Sequence, residues 1–186
     1  MDLSLPVLHI GKIKLREIQK SDFPALFEVG SNPEMCKYLN WGPYKRVSEA
    51  LYAIEGIYLK RHEESLPIPY AICINDILIG VLEYHSYNED EKSMEIGFFL
   101  SQDYWGKGIM TKVLKEAIML GFYQLELKKI VISTLAENER CIKLIKRFGL
   151  EYQESKLFEV AEERFEVGYC YSIYKDDYIW RNKLLW

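Results

Sequence analysis

Residues 95–122 read EIGFFLSQDYWGKGIMTKVLKEAIMLGF, a strand-like run joined to a helical one across two glycines and a lysine. In the second half Met110, Val113, Leu114, Ala117, Ile118 and Gly121 recur at i, i+3, i+4, i+7, i+8 and i+11, so one stripe of a helix is expected to lie on a sheet. Glycine tolerates positive φ and close backbone approach, so at this junction the first amides of the helix can converge on an anion such as a phosphate. A tight turn without a ligand is the competing reading. The spacing is not that of a phosphate loop of the G-x-x-x-x-G-K-[ST] type. Nor is it a dinucleotide fingerprint, because Thr111 stands where G-x-G-x-x-G needs its third glycine.

Upstream of this junction the pattern is hairpin-like. Ile13 and Leu15 alternate with polar neighbours, as in a half-buried strand. Ser21 or Asp22 can start a helix that Gly30 ends, and Asn32 with Pro33 suits a second short helix through Leu39. The turn-rich NWGPY (40–44) follows, and Ser48 can cap a longer helix with Leu51, Ile54, Ile57 and Tyr58 on one face. PYAICI (69–74) and ILIGVLEYHSY (77–87) flank Asn75 and Asp76, which predicts a hairpin with a two-residue connection. The polar loop NEDEK (88–92) then leads to SMEIGFFL (93–100). Downstream, KIVIST (129–134) reads as a strand, ENERCIKLIKRFG (137–149) as a helix ending at Gly149, and YCYSIYK (169–175) as a late strand. Two strand–helix–strand crossovers in this half imply some parallel pairing, so a mixed sheet with helices on both faces is expected.

With 186 residues the chain fits one domain over 1–186, and 49% apolar with 28% charged residues is an ordinary globular composition. No apolar run approaches the roughly 20 residues needed to cross a bilayer, and the N-terminus lacks the basic start and apolar block of a secretory signal. Cys36, Cys73, Cys141 and Cys170 are scattered and form no C-x-x-C pair, which speaks against a zinc or redox motif and for reduced thiols in the cytoplasm. A formal charge of −4 disfavours a nucleic-acid surface and tolerates a cationic small molecule or protein tail. The expected partners therefore exclude nucleic acid and membrane, and a homodimer is compatible with the sequence.

EIGFFLSQDYWGKGIMTKVLKEAIMLGF together with ENERCIKLIKRFGL (137–150) resembles the acetyl-CoA-binding core of the GNAT superfamily of N-acetyltransferases. LREIQKSDFPALFEV (15–29), YLNWGP (38–43), LIGVLEY (78–84) and YSIYKDDYIW (171–180) are similar to the branch that acetylates ribosomal-protein N-termini, the RimJ/RimL-like enzymes. The resemblance covers roughly residues 12–180. It implies an α/β (α+β) fold with a mixed, mostly antiparallel six- to seven-stranded sheet. It also implies that the main chain of Phe98, Phe99 and Leu100 faces the pantetheine arm of CoA. Amides of Trp105, Gly106, Lys107, Gly108, Ile109 and Met110 would hold the pyrophosphate, and Asn138 would contact the cofactor arm. Asn138 also suits a helix N-cap. Asp103 cannot itself attract pyrophosphate, which leaves that contact to the amides.

The reaction implied is direct acetyl transfer from acetyl-CoA to a primary amine, with no metal. An amine that arrives protonated needs a base or a water chain, and the developing oxyanion needs a donor such as an amide of the Phe98–Leu100 stretch. The tyrosine that often serves the superfamily as acid would fall at Ile145 and a related base at Ser133, so neither role transfers. Cys141 occupies the place of a branch serine and is a candidate proton donor; a buried structural cysteine is the alternative. Glu95 is the first candidate base. Strict alternation sets it opposite Phe98 and Leu100, although a bulge could re-aim it. Glu83 is the second, sharing a strand face with Ile79 and Val81. His85 is expected in an exposed loop, and His9 and His62 carry no signal. Tyr38, Trp41 and Tyr44, with Pro43, form an aromatic patch for the acceptor or, alternatively, for the core. The expected function is N-acetylation of a primary amine, first a protein N-terminus. The alternatives are a small amine or antibiotic, or a CoA-binding module without turnover.

Overall fold

Asn75 and Asp76 both adopt left-handed backbone, φ 52° and 63°, as the right-twisted two-residue hairpin turn demands. They join β3 (Tyr70–Ile74) to β4 (Ile77–Asn88), as the spacing predicts. The computed structural model describes residues 3–161 and 164–178. Within them the sheet also contains β1 (Leu8–Ile10), β2 (Ile13–Glu17), β5 (Ser93–Leu100), β6 (Lys129–Leu135), β7 (Glu151–Ala161) and β8 (Arg164–Tyr174). Spatial order is β1-β2-β3-β4-β5-β6-β8-β7. Every neighbouring pair is antiparallel except β5 with β6.

Eight strands exceed the expected six to seven because two carry almost no sequence signal. β1 is three residues long, and β7, EYQESKLFEVA, is an exposed edge strand whose charged residues need no alternation. The crossover through α4 (Ile109–Tyr123) produces the one parallel pair. The second crossover, through α5 (Glu139–Arg147), does not pair β6 with β7, because β8 lies between them.

Two apolar clusters fill the two faces of the sheet. On one, Val113, Leu114, Ala117, Ile118 and Phe122 of α4 are fully buried against Leu82, Tyr84, Met94, Ile96, Ile130 and Ile132. Each of the Val, Leu, Ile, Met and Phe side chains contributes about 1.5–3 kcal/mol on burial. Tyr84 ties the layers together by donating its hydroxyl proton to Ala117 O over 2.6 Å. On the other face, α1 (Phe23–Gly30), α2 (Pro33–Cys36) and α3 (Val47–Tyr52) cover Ala71, Cys73, Leu78 and Val81.

Local details of this second layer differ from the sequence expectation. Asp22 does not cap α1; it takes a bidentate ion pair from Arg16 at 2.7 and 2.8 Å and an amide from Gln19. Gly30 lacks a side chain for space, since a Cβ there would stand 2.5 Å from the Tyr44 ring. Asn32 caps α2 as expected, accepting from Glu34 and Met35, but the helix stops at Cys36 rather than Leu39. α3 begins at Val47 with Arg46, not Ser48, before it. A π-helical turn at Ala53–Ile57 then inserts an extra residue, so Ala50, Ala53, Ile54 and Tyr58 are buried while Ile57 turns outward.

Candidate active site

β5 and β6 pair only from Ser93↔Lys129 to Glu95↔Val131, after which the two strands part. β5 continues on β4 as far as Leu100↔Gly80, and β6 continues on β8 as far as Leu135↔Gly168. The sheet therefore forks, and the inner edges of both strands are left without strand partners past Glu95 and Val131. At the apex Glu95 Oε1 accepts from the Ser133 amide at 3.1 Å, the side chain standing in for a missing strand partner. No register shift interrupts β5 between Glu95 and Leu100, so Glu95 lies opposite Phe98 and Leu100 as strict alternation sets it.

Antiparallel hydrogen bonding alternates along β5, which decides which main-chain groups face the fork. The Ser101 amide bonds Ile79 O of β4 at 2.7 Å. Stepping back by two, Phe99 turns its amide and carbonyl toward Val81, while Phe98 and Leu100 turn theirs to the open side. Phe99 is thus corrected: its main chain belongs to β4, and its ring lies edge-on to Trp41 at 5.4 Å on the opposite face from α4. The Leu100 carbonyl is already taken by the Trp105 indole N–H at 2.7 Å.

Gly106 and Gly108 both have positive φ, 72° and 70°, and Gly108 precedes the first turn of α4. The first bond back along that helix runs from Lys112 to Gly108 O at 3.3 Å, so the amides of Ile109, Met110 and Thr111 have no carbonyl in the preceding turn. The Trp105 amide is a second correction, since it donates to Gln102 O at 3.1 Å and is not free for an anion. A Cβ on Gly106 or Gly108 would meet nothing within 4 Å, so the ground before these amides is open. That cradle fits a diphosphate. Across the fork the Arg140 guanidinium lies 4.6 Å from the centre of the Trp105 ring, joining the start of α5 to the glycine loop.

Asn138 is the N-cap of α5, its Oδ1 accepting from the Cys141 amide at 3.2 Å. Cys141 packs against the α4-side core, and burial pushes its thiol up to about 11 despite a hydrogen bond with Thr134. Such a thiol stays protonated at neutral pH, so it is neither a nucleophile nor, being a weaker acid than an ordinary thiol, a good donor to a departing thiolate.

The face away from α4 carries an open cavity of about 780 Å³ bordered by Trp41, Tyr44, Tyr52, Tyr58, Arg61 and Glu83. Trp41 and Tyr44 stack at 4.9 Å, and Tyr44 is pushed up to about 12, first by burial. Tyr38 is not part of the wall; Lys37 Nζ sits 5.0 Å over its ring. Arg61 bonds Glu83 at 2.8 Å and Glu64 at 3.0 Å, leaving its buried Nε without a partner. Burial alone would lower the arginine, but the two carboxylates more than offset it and hold it charged. Glu49, also on the wall, is lowered by the amides of Lys45 and Arg46.

Glu83 reaches this cavity because of a bulge. Ile72 pairs Gly80 and Cys73 pairs Leu78, so Ile79 is an extra residue on β4. Ile79 accordingly packs in the α4-side core while Val81 packs on the other face, and Glu83 follows Val81 rather than both as alternation predicts. His85 is likewise not in a loop. It lies half-buried on β4, paired with Glu95, on the same face as Glu83. The extent of β4 through Tyr87 was the sequence signal that could have placed it.

The acetyltransferase (GNAT) domain profile matches residues 12–151. The chain belongs to this family. The N-acetyltransferase p20 of Bacillus licheniformis is 28% identical over 94% of this chain and 99% of its own length. The spermidine N(1)-acetyltransferase of Escherichia coli strain K12 is 24% identical over 83% of this chain and 80% of its own. Among solved structures, the ribosomal L7/L12 alpha-N-protein acetyltransferase RimL in complex with coenzyme A superposes with a TM-score of 0.79 at 19% identity, covering 92% of this chain and 99% of that one. The protein is an N-acetyltransferase with acetyl-CoA as its acetyl donor. No helix among the described residues is long and apolar enough to cross a membrane.

Proposed function

We propose that the acceptor is a primary amine carrying a single ammonium beside an apolar or aromatic group, as a protein N-terminus presents, and that it enters by the Trp41–Tyr44 cavity. The observation that carries this reading is that the carboxylates of the wall already have partners: Glu83 is ion-paired with Arg61, and Glu49 accepts from the amides of Lys45 and Arg46. A polyamine would gain little there, because its several cations would have to compete with these existing partners for each carboxylate. Stacked aromatics and Phe99 supply apolar surface for the residue next to the amine. A small polyamine is the second reading, favoured by the spermidine acetyltransferases among the relatives.

Acetyl-CoA supplies the activated acetyl group as a thioester. For this chain, the amides of Gly106–Met110 would grip its pyrophosphate, and the Phe98 amide on the open edge would donate to the developing oxyanion. Asn138 beside the fork would meet the cofactor arm. Cys141, pushed up to about 11, is a weaker acid than an ordinary thiol, so the departing sulfur would take its proton from the acylated amine instead. Glu83, held by Arg61, and Glu95, held by the Ser133 amide, are the carboxylates on the acceptor side of the sheet. A thiol-release assay with N-terminal peptides, polyamines and aminoglycosides tests the reading. Peptides should be the better substrates by kcat/KM, and polyamines used better than every peptide would refute it.

A further inference from the structure

We propose that His85 is the catalytic base that takes a proton from the incoming ammonium, an assignment that rests on the amine-acetylating reading above. Three observations converge on its ring. The pairs Glu83↔Gly97 and His85↔Glu95 put all four residues on the cavity side of the sheet. Gly97 has no side chain, and the two β4 residues lean into the space this leaves: a Cβ there would lie 3.1 Å from His85 Nε2 and 3.5 Å from Glu83 Cγ. Gly97 is also the second residue of β5 past the apex of the fork, next to Phe98, whose main chain faces the open side. Nε2 therefore stands between the cavity that admits the amine and the strand edge where the thioester is to be attacked.

The other ring nitrogen is anchored. His85 Nδ1 lies 2.9 Å from the hydroxyl of Ser86, a residue with φ 55° where the β4–β5 register shifts. With Nδ1–H donating to that oxygen, the lone pair is left on Nε2, as a base requires. The groups facing the imidazole are Glu83 on its own strand, with Arg61 and Tyr58 behind it, and Glu95 on β5, which also interacts with Lys156 of β7. Imidazole exchanges protons near neutrality, where the base of an amine acetyltransferase must work.

The proton balance is complete with these parts. One proton passes from R–NH3+ to Nε2, and the freed lone pair forms the N–C bond to the acetyl carbon as the C–S bond breaks. The second amine proton goes to the thiolate sulfur, and the imidazolium returns its own to solvent.

The test compares His85→Gln with wild type on two acceptors, the best amine from the thiol-release screen and a fluorinated analogue that is largely unprotonated at neutral pH. For the ordinary amine the variant should lose about 10²-fold or more in kcat/KM at neutral pH, a typical share for a general base. That loss should shrink as pH rises and be several-fold smaller for the fluorinated amine, with CoA affinity by calorimetry unchanged. In wild-type protein the His85 imidazole titration, followed by NMR, should have its midpoint on the acid limb of kcat/KM. Equal losses on both amines, a pH-independent ratio, or an NMR midpoint away from that limb would overturn the assignment of His85 alone. A wild type silent on every amine would overturn both this inference and the reading it rests on.

Discussion

Replacing Gly108 by alanine separates the backbone requirement of the glycine loop from its ligand role. At φ 70° the residue sits in the left-handed region, where an L side chain costs about 1–2 kcal/mol. A Cβ there meets nothing within 4 Å, so no steric clash adds to that cost. For a chain of 186 residues each kcal/mol moves Tm by about 2–4 °C, which gives an expected drop of about 2–8 °C. Gly108→Asn should lose less, because asparagine visits this region more readily. Gly42→Ala, whose Cβ also meets nothing within 4 Å and whose φ is not positive, serves as the control and should leave Tm nearly unchanged. The second measurement is CoA affinity by calorimetry. If strain is relieved by turning the Ile109 or Met110 amide away, one charge-assisted hydrogen bond is lost, about 1.5–3 kcal/mol or roughly 10- to 100-fold in Kd. A variant with wild-type Tm would refute the backbone argument. A variant that loses Tm yet binds CoA with full affinity would refute the amide cradle.

Glu83→Gln removes the charge 2.8 Å from Arg61, and because both side chains are only about a fifth exposed the cost should fall between the ~1 kcal/mol of a surface pair and the ~3–5 of a buried one. An unchanged urea midpoint would refute that coupling. Glu95→Gln keeps an acceptor for the Ser133 amide whereas Glu95→Ala does not, so steady-state assays should show kcat/KM falling more for alanine; equal losses would point to the charge instead. Burial pushes Cys36, Cys73 and Cys141 up to about 11, so the folded state holds these protons more tightly than the unfolded chain. Their stabilisation is fully present below the unfolded value near about 9 and is lost as pH climbs toward 11. Urea midpoints should therefore hold from neutrality to mildly alkaline pH and then fall, and a flat profile up to pH 11 would contradict the burial argument.

Elements whose signal is local were legible in the sequence. The α4 stripe, the Asn75–Asp76 turn and the Asn32 cap each depend on residues a few positions apart. The edge strand β7 was not, because its side chains are exposed on both faces and so need no apolar alternation. At the site, the positive φ of Gly106 and Gly108 and the N-cap role of Asn138 were legible, while Tyr38 lies off the cavity wall and His85 stands on a strand and not in a loop. The π turn after α3 and the bulge at Ile79 each add a residue to a regular period, and one residue suffices to turn everything beyond it to another face.

Read alone, the sequence determined the strand–glycine–helix unit, the hairpin before it and the amide cradle they create, because dihedral preference and periodicity act within a turn or two. Only the tertiary structure decided where the sheet forks, that Glu95 reaches Ser133 across 38 residues, and that Glu83, His85 and Gly97 meet over the opening. Those meetings depend on strand register, which is set by the packing of both faces at once and not by the composition of either strand.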